Sequence, residues 1–478
     1  MFKVLVVGCG GSGAKSLSYM MDQLKTTLAE NAPVWFERND RKLPDAWQFV
    51  SIDVPTEPER IKSIPNVPNA GGQYIATGAS SNYSFVDRAV SVQLSRNNAL
   101  GTIATWAYPK PEEVTVPVDA GAGQFRGVGR MLILNKLTEV EAQLKQAKDR
   151  LYSAQAASQL DAIRSEMGQG EPSGEKAADP LVFVVSSMAG GAGASMALDV
   201  CRLLSGLDLN NYQGRSALFM VTPDVFKAAG SADSFVGTSP NALAMFGELA
   251  AGQFGAGTQS DKLLYEALGY QDNLKETLVS RVFPVGISAG VNAVPIAEGA
   301  GPSTVYRALG RGLAALTTDT TMMQNFVSFQ LGNTGGLSYD RDFYGWGMGD
   351  ARSNAVPWGT FGYGRLAMGR DRYGEYAAQR LASSALNTLK NGFKFEGSAD
   401  SDDDQLDQRL VKSWKNIQLR LANTLPLPAD ERQTAANAAE TDQAWASNRF
   451  SDTAVAWAQS RVDMMKSSNV VPAPESRK

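Results

Sequence analysis

The expected fold follows from residues 4–13, which read Val4-Leu5-Val6-Val7-Gly8-Cys9-Gly10-Gly11-Ser12-Gly13. A short apolar run that meets a glycine-rich turn is typical of a buried parallel strand. Residues 14–29 follow with apolar side chains at helical spacing, so a helix is expected after the turn. Glycine lets a ligand approach the backbone closely, and the start of a helix presents unpaired N–H groups that suit phosphate. The stretch therefore predicts a strand, a candidate phosphate-binding turn and a helix.

Two further glycine-rich turns lie farther along the chain. Residues 119–127 read DAGAGQFRG, and residues 186–195 read SSMAGGAGAS between an apolar strand at 181–185 and a predicted helix that runs to Leu204. A single turn of this kind also fits a ligand-free tight turn, a dinucleotide Rossmann fold or the adenylate site of ubiquitin-activating-like enzymes. Three such turns on one sheet favour a triphosphate that is held from several sides. For the third turn alone, helix–sheet packing is the alternative.

The rest of the pattern extends the same architecture. Further strands are predicted at residues 47–52, 217–221 and 281–287, and further helices at residues 131–167, 241–249 and 303–316. This order predicts an α/β fold with a right-handed, doubly wound parallel sheet. Ligands in such sheets bind at the carboxyl ends of the strands.

Changes in composition predict the domain organisation. Residues 1–300 are expected to form a nucleotide-binding domain, in which residues 54–118 are an irregular insertion with a short strand at 102–107. Residues 301–330 are expected to hold a long central helix. Glycines and aromatics at 339–363 suggest a second α+β domain over residues 331–425, and residues 426–478 are expected to be a helical and partly disordered tail.

Composition excludes several kinds of chemistry. The 478 residues include no histidine and only two cysteines, which removes Ser-His-Asp and Cys-His catalysis and most zinc sites. The sparse cysteines favour a reducing cytoplasm. A net charge of −4 argues against a general nucleic-acid binder. No apolar run has the ~18 residues of a membrane span, and the apolar N-terminal run is interpreted as a strand rather than a signal peptide.

The order of the turns resembles the tubulin/FtsZ family, and most of all its divergent bacterial tubulin-like members. Residues 8–13 resemble the GxGGxG first loop, residues 50–56 (VSIDVPT) are similar to VDLEPT, and residues 119–127 resemble the γ-phosphate loop DAANNYARG. Residues 183–204 resemble the GGGTGSG segment with its helix, residues 239–242 (SPNA) the EPYNA motif, and residues 303–306 (STVY) the start of the central helix. The resemblance covers roughly residues 1–320 and is poor beyond residue 330.

The resemblance implies binding of GTP or GDP with Mg²⁺, and head-to-tail association with other copies of the chain. The residues implied to bind the nucleotide are Gly8, Gly10, Gly11, Ser12, Gly13, Asp53, Gly121, Ala122, Gly123, Arg126, Gly190, Gly191, Ala192, Gly193, Asn241 and Tyr306. Asn241 would contact guanine. Asp53 would act on Mg²⁺ through water or else cap a turn, and Arg126 would pair with the γ-phosphate or form an ordinary salt bridge. Tyr306 would stack on the base or else fill the core.

Departures from the family pattern leave the function open. The signature threonine is Ala192, and the acidic loop that completes hydrolysis on a neighbouring subunit is not recognisable. Asp340 and Asp342 lie in roughly the right region and are the candidate catalytic acids, with a solvated turn as the alternative. A slow, self-associating GTPase is the first hypothesis, and a scaffold or regulator that does not hydrolyse nucleotide is the second. The third hypothesis is a Rossmann-type enzyme using an adenine nucleotide or NAD. Asp53, near the end of the second strand, could bind the ribose of such a cofactor, whereas the two later glycine turns argue against this hypothesis.

Overall fold

The computed structural model describes most of the first 331 residues and one later helix. The described residues are 1–61, 64–170, 179–227, 236–253, 256–271, 274–275, 278–289, 294–296, 301–331, 359, 361, 370–391 and 405. The predicted catalytic acids Asp340 and Asp342 lie outside them, as do most of the predicted second domain and the whole predicted tail.

A six-stranded parallel sheet organises the described part of the chain. Its strands are β1 Val4–Cys9, β2 Trp47–Asp53, β3 Gln73–Ala76, β4 Leu181–Ser187, β5 Ser216–Val221 and β6 Arg281–Val285. Their order across the sheet is β3-β2-β1-β4-β5-β6, and every neighbouring pair is parallel. The chain therefore starts in the middle of the sheet and winds first to one edge and then to the other, which confirms the predicted doubly wound α/β fold. A separate two-stranded antiparallel sheet pairs β7 Ser288–Ala289 with β8 Val294–Pro295.

Helices cover both faces of the main sheet. Those of the first three hundred residues are α1 Gly10–Asn31, α2 Pro33–Arg38, α3 Val67–Ala70, α4 Tyr83–Arg96, α5 Arg126–Asn135, α6 Leu137–Leu151, α7 Ala154–Glu166, α8 Gly193–Gly206, α9 Tyr212–Arg215, α10 Asp224–Lys227, α11 Thr238–Gln253 and α12 Thr258–Ala267. After them come α13 Pro302–Thr318, α14 Thr320–Phe326 and α15 Arg370–Asn391. Short 3-10 helices occur at Leu100–Ile103 and Pro111–Glu113, and a π-helix at Val327–Leu331. None of the described helices is long and apolar enough to cross a membrane.

Two hydrophobic cores form because successive side chains of a strand point to opposite faces of the sheet. In β1, Leu5 and Val7 join the core that contains residues of α4, α5, α6 and α8. Val4 and Val6 join the core on the other face, which contains residues of α1, α2, α7 and α13. All residues of β1, β2, β4 and β5 are buried, as expected for a parallel sheet that is covered on both sides.

Residues 54–118, predicted as an irregular insertion, contain more regular structure than expected. They supply the edge strand β3, which pairs with β2, and the 14-residue helix α4. That helix buries Tyr83, Val86, Val90 and Leu94, whose spacing is helical, although the surrounding prolines, glycines and asparagines obscure it. The strand predicted at residues 102–107 is wrong, because the chain forms a 3-10 helix over Leu100–Ile103 and then turns.

The helix predicted at residues 131–167 is three helices, α5, α6 and α7. The last of them begins where the Ser153 hydroxyl accepts a hydrogen bond from the Ala156 backbone N–H, as helix N-caps commonly do. The predicted central helix corresponds to α13, with 17 residues, and Asp319 ends it and caps α14.

The chain divides into two compact units, Met1–Gly364 and Arg365–Lys478, and α15 is the helix described in the second unit.

Candidate phosphate-binding site at the strand ends

The three glycine-rich turns meet at one edge of the sheet. The first follows β1 and the third follows β4, the strand beside it. The second follows no strand, but Asp119 accepts a hydrogen bond from Thr56 N (3.1 Å), just beyond the end of β2. Gly191 N donates to Gly123 O at 2.9 Å and so joins the third turn to the second. The predicted placement of all three turns at the carboxyl ends of the strands therefore agrees with the structure.

Three helices begin inside these turns rather than after them. Helix α1 starts at Gly10, α5 at Arg126 and α8 at Gly193. No side chain caps any of the three N-termini, and none has an acidic residue in its first turn. The first N–H groups of a helix have no partner within the helix, and they carry the positive end of its dipole. Three uncapped N-termini close together form a strong attraction for an anion.

Some glycines of the turns are required by packing. A Cβ atom built on Gly13 would lie 2.4 Å from Val185 O, and one built on Gly191 would lie 2.7 Å from Ala122 O. Gly10 has a φ of +69° and touches the third turn, since its Cβ would lie 2.8 Å from Gly193 N. Substitution at these positions would displace protein backbone whether or not a ligand binds.

One glycine of each turn is open instead. A Cβ on Gly190 would have no atom within 4 Å, and one on Gly121 would meet only Gly123 N at 3.9 Å. A Cβ on Gly11 would meet only two carboxylate oxygens, at 3.6 and 3.8 Å. Packing does not explain glycine at these three positions, whereas close approach of a ligand to the backbone would explain it.

Asp53 is the buried carboxylate of the site. It is the last residue of β2, is 8% exposed, and its Oδ1 accepts a hydrogen bond from Val54 N at 2.8 Å. Its Oδ2 has no hydrogen-bond partner among the described residues and lies 3.8 Å from the Cβ position of Gly11. Burial raises the pKa of Asp53 to about 6, helped by Glu59 and opposed by the Val54 N–H and Lys15.

The carboxylates at the first turn fit the Mg²⁺ that the family resemblance implies. Carboxylate oxygens are the ligands that Mg²⁺ prefers, and the ion usually takes one or two of them and keeps several waters. The unpartnered Oδ2 of Asp53 is such an oxygen. The described residues hold no cluster of three or more His, Cys, Asp or Glu side chains that could bind a metal ion.

Glu59 belongs to this site and was missed by the sequence reasoning. Its Oε2 lies 3.6 Å from the Cβ position of Gly11, and its Oε1 lies 2.9 Å from Lys15 Nζ. It comes from the loop after β2, six residues beyond Asp53. No motif spacing singles it out, because only the path of that loop brings it over the first turn.

Asn241 lies at the site but has a structural role in it. Its Nδ2 donates to Gln124 O at 2.8 Å and to Ala189 O at 3.0 Å. These bonds connect the start of α11 to the second and third turns. Both N–H donors of the amide are thereby used, so the predicted contact with guanine would rely on Oδ1, an acceptor suited to the N–H groups of the base edge.

Arg126 is paired with other groups of the protein. Its guanidinium donates to Ala194 O at 2.9 and 3.1 Å and forms an ion pair with Glu248. Without a ligand the structure thus shows the salt-bridge alternative for Arg126, and pairing with a γ-phosphate stays a prediction. The reason for the salt bridge is its position as the first residue of α5, from which the side chain reaches α8 and α11.

Tyr306 contributes its hydroxyl to the first turn while its ring belongs to the core. The residue is 5% exposed, and its hydroxyl lies 3.1 Å from Ser12 Oγ. The core-filling alternative therefore describes the ring in this structure. Stacking on a base stays a prediction and would require the ring to become more exposed.

The third turn has no free hydroxyl. Ser186 Oγ donates to Cys9 O, Ser187 Oγ to Val221 O and Ser195 Oγ to Gly191 O. With Ala192 at the place of the family's threonine, this turn offers a phosphate only backbone N–H groups.

The strand order and the glycine turns define a doubly wound α/β protein with three glycine-rich turns at the carboxyl ends of its strands. The sequence matches the model of the family described as "Tubulin like" over residues 5–387, which is most of the chain. The chain therefore belongs to the tubulin-like family, and the resemblance inferred from its sequence is confirmed. No curated protein matches the sequence.

Proposed function

We propose that this protein binds GTP or GDP with Mg²⁺ at the three glycine turns. The observation that carries the proposal is the convergence of three uncapped helix N-termini, each with one open glycine nearby, at Gly11, Gly121 and Gly190. Such a surface suits a polyphosphate that is bound from several sides. Membership in the tubulin-like family supports a guanine nucleotide as the ligand.

The sheet alone does not discriminate between nucleotide classes. The strand order β3-β2-β1-β4-β5-β6 is also that of dinucleotide-binding Rossmann domains. The second and third turns are the feature that such a domain does not need. They support a triphosphate over NAD, and the family match supports the same choice.

We expect clear preference for GTP and GDP over ATP and NAD. Asn241 Oδ1 would accept a hydrogen bond from the N–H groups of guanine, whereas adenine carries no ring N–H at the corresponding edge. Isothermal titration calorimetry of the full chain with each of the four ligands measures this. Equal binding of ATP, or preference for NAD, would refute the guanine assignment.

The proposed reaction is slow transfer of the γ-phosphoryl group to water, in which the protein supplies positioning and electrostatic stabilisation. Backbone N–H groups of the three turns would hold the phosphates, and Asp53 would hold water of the Mg²⁺ shell. The ion, when bound, would neutralise negative charge on the phosphates. Asp340 and Asp342 remain the proposed catalytic acids. We expect turnover well below the ~1 s⁻¹ lower end of typical enzymes.

A scaffold that binds nucleotide without hydrolysing it is the second candidate. The absence of a free hydroxyl in the third turn, with Ala192 at the threonine position, favours it. Phosphate release by the wild type and by the double variant D340A/D342A separates the two. Release that the double variant loses, with GTP affinity retained, supports hydrolysis and identifies the acids.

We also propose that the chain associates head to tail in a nucleotide-dependent way. Such a heterologous contact produces open filaments unless the rotation closes a ring. Analytical ultracentrifugation and negative-stain microscopy with GTP, GDP and no nucleotide measure the association. A protein that stays monomeric in all three states at tens of micromolar would contradict it.

A further inference from the structure

Glu59 and Lys15 form an ion pair directly over the first turn. The Glu59 Oε1 to Lys15 Nζ distance is 2.9 Å, and Glu59 Oε2 faces the open side of Gly11. Lys15 lies in the second turn of α1, and its Nζ is 6.0 Å from the ring centroid of Tyr306. The pair therefore stands where a phosphate would approach the start of α1.

The charges at this point oppose a polyphosphate. Asp53 Oδ2, which has no partner in the described part of the chain, and Glu59 Oε2 both face Gly11, and among the described residues Lys15 is the cation paired with Glu59. Like charges within a few ångströms repel one another, so a phosphate that enters here would be repelled by two carboxylates. A phosphate can therefore bind here only if a cation binds to the carboxylates or if Glu59 moves away.

We propose that Lys15 and Glu59 exchange partners when a nucleotide binds, an inference that rests on the proposed function. Lys15 leaves Glu59 for a phosphate oxygen, and Glu59 joins Asp53 on the side of the divalent cation. Glu59 thus acts as a positioning residue that makes nucleotide binding depend on the cation. Without a divalent cation, its carboxylate repels the phosphates and retains Lys15.

The geometry allows this exchange at little cost. The side chains of Lys15 and Glu59 are 30% and 54% exposed, and exposed ion pairs contribute little to stability. Lysine has a flexible stem with a compact charge, so its ammonium can change partners without moving α1. Asp53 is different, because it is buried and its Oδ1 is held by Val54 N.

The test compares Glu59→Gln with Glu57→Gln in the full chain. Both variants remove one negative charge from the same loop, so Glu57→Gln controls for net charge. GTP affinity is measured by calorimetry in excess Mg²⁺ and in EDTA. We expect Glu59→Gln to bind GTP at least about threefold more tightly in EDTA, and the ratio of the Mg²⁺ and EDTA affinities to fall by at least about threefold.

Two results would overturn the exchange. The first is that Glu59→Gln and Glu57→Gln have the same GTP affinity, both in Mg²⁺ and in EDTA, while the wild type binds GTP. In that case Glu59 has no part in the cation dependence of binding, and the proposed function stands. If the wild type binds GTP in neither condition, the proposed function fails and the exchange fails with it. Thermal melting in EDTA without nucleotide should show both variants folded, because neither glutamate belongs to the core.

Discussion

Gly190→Val is expected to lower the affinity for GTP at least about tenfold, equivalent to about 1.4 kcal/mol, while the protein stays folded. The Cβ position of Gly190 has no neighbour within 4 Å and the residue does not have a positive φ, so the fold accommodates a side chain there. The added atoms would instead occupy the space through which a phosphate reaches the third turn. Calorimetry with GTP, together with a thermal melt, measures both parts of the expectation.

The adjacent Gly191 is the matched control. Gly191→Ala places a Cβ atom 2.7 Å from Ala122 O and 2.8 Å from Gly123 O, so the second turn must shift. We expect this variant to lose stability by the ~1–3 kcal/mol typical of overpacking, even without nucleotide. Unchanged GTP affinity in a folded Gly190→Val variant would show that the third turn is purely structural.

Asp53→Asn should stabilise the nucleotide-free protein at pH 7 by as much as about 3 kcal/mol, because the variant has no buried carboxylate to ionise at this position. Burial raises the pKa of Asp53 from 3.8 to about 6. A raised carboxylate pKa means that the folded state resists ionisation. The cost to stability is thus absent below pH 4, grows between pH 4 and 6, and is complete above pH 6.

Chemical denaturation of both proteins in EDTA across pH 4–8 measures this effect. The stability difference between Asp53→Asn and the wild type should be small at pH 4 and largest above pH 6. Asparagine can still accept the hydrogen bond from Val54 N, so the local structure should persist. With Mg²⁺ present, the variant should bind GTP more weakly. A stability difference that is independent of pH would show that Asp53 is not destabilised by its burial.

Together these expectations describe a site in which the features suited to a ligand lower the stability of the empty protein. A buried carboxylate with one unpartnered oxygen and three helix N-termini without side-chain caps are each expected to reduce the stability of the empty protein. Natural proteins tolerate such features at functional sites. The same features would become favourable if, as proposed, a polyphosphate and a cation bind at the carboxyl ends of the strands.

The sequence predicted the sheet well and the region after β2 poorly. The apolar runs of β1, β2, β4 and β5 are local patterns, so their positions were correct to within about two residues. Helix α4 was missed because its apolar residues lie in a stretch that is otherwise typical of loops. The edge strand β3 has only four residues and derives its structure from pairing with β2, which no local pattern reveals.

By itself, the sequence determined the class of fold, the family and the three glycine turns, because strands, helices and turns depend on residues close together in the chain. Only the tertiary structure decided which glycines serve packing and which are open, since that depends on atoms such as Val185 O and Ala122 O from other elements. It also decided that Arg126 pairs with Glu248, 122 positions away, and that Glu59 reaches Lys15. A long side chain can pair with any partner that the fold brings within its reach, and the order of residues in the sequence does not specify which one.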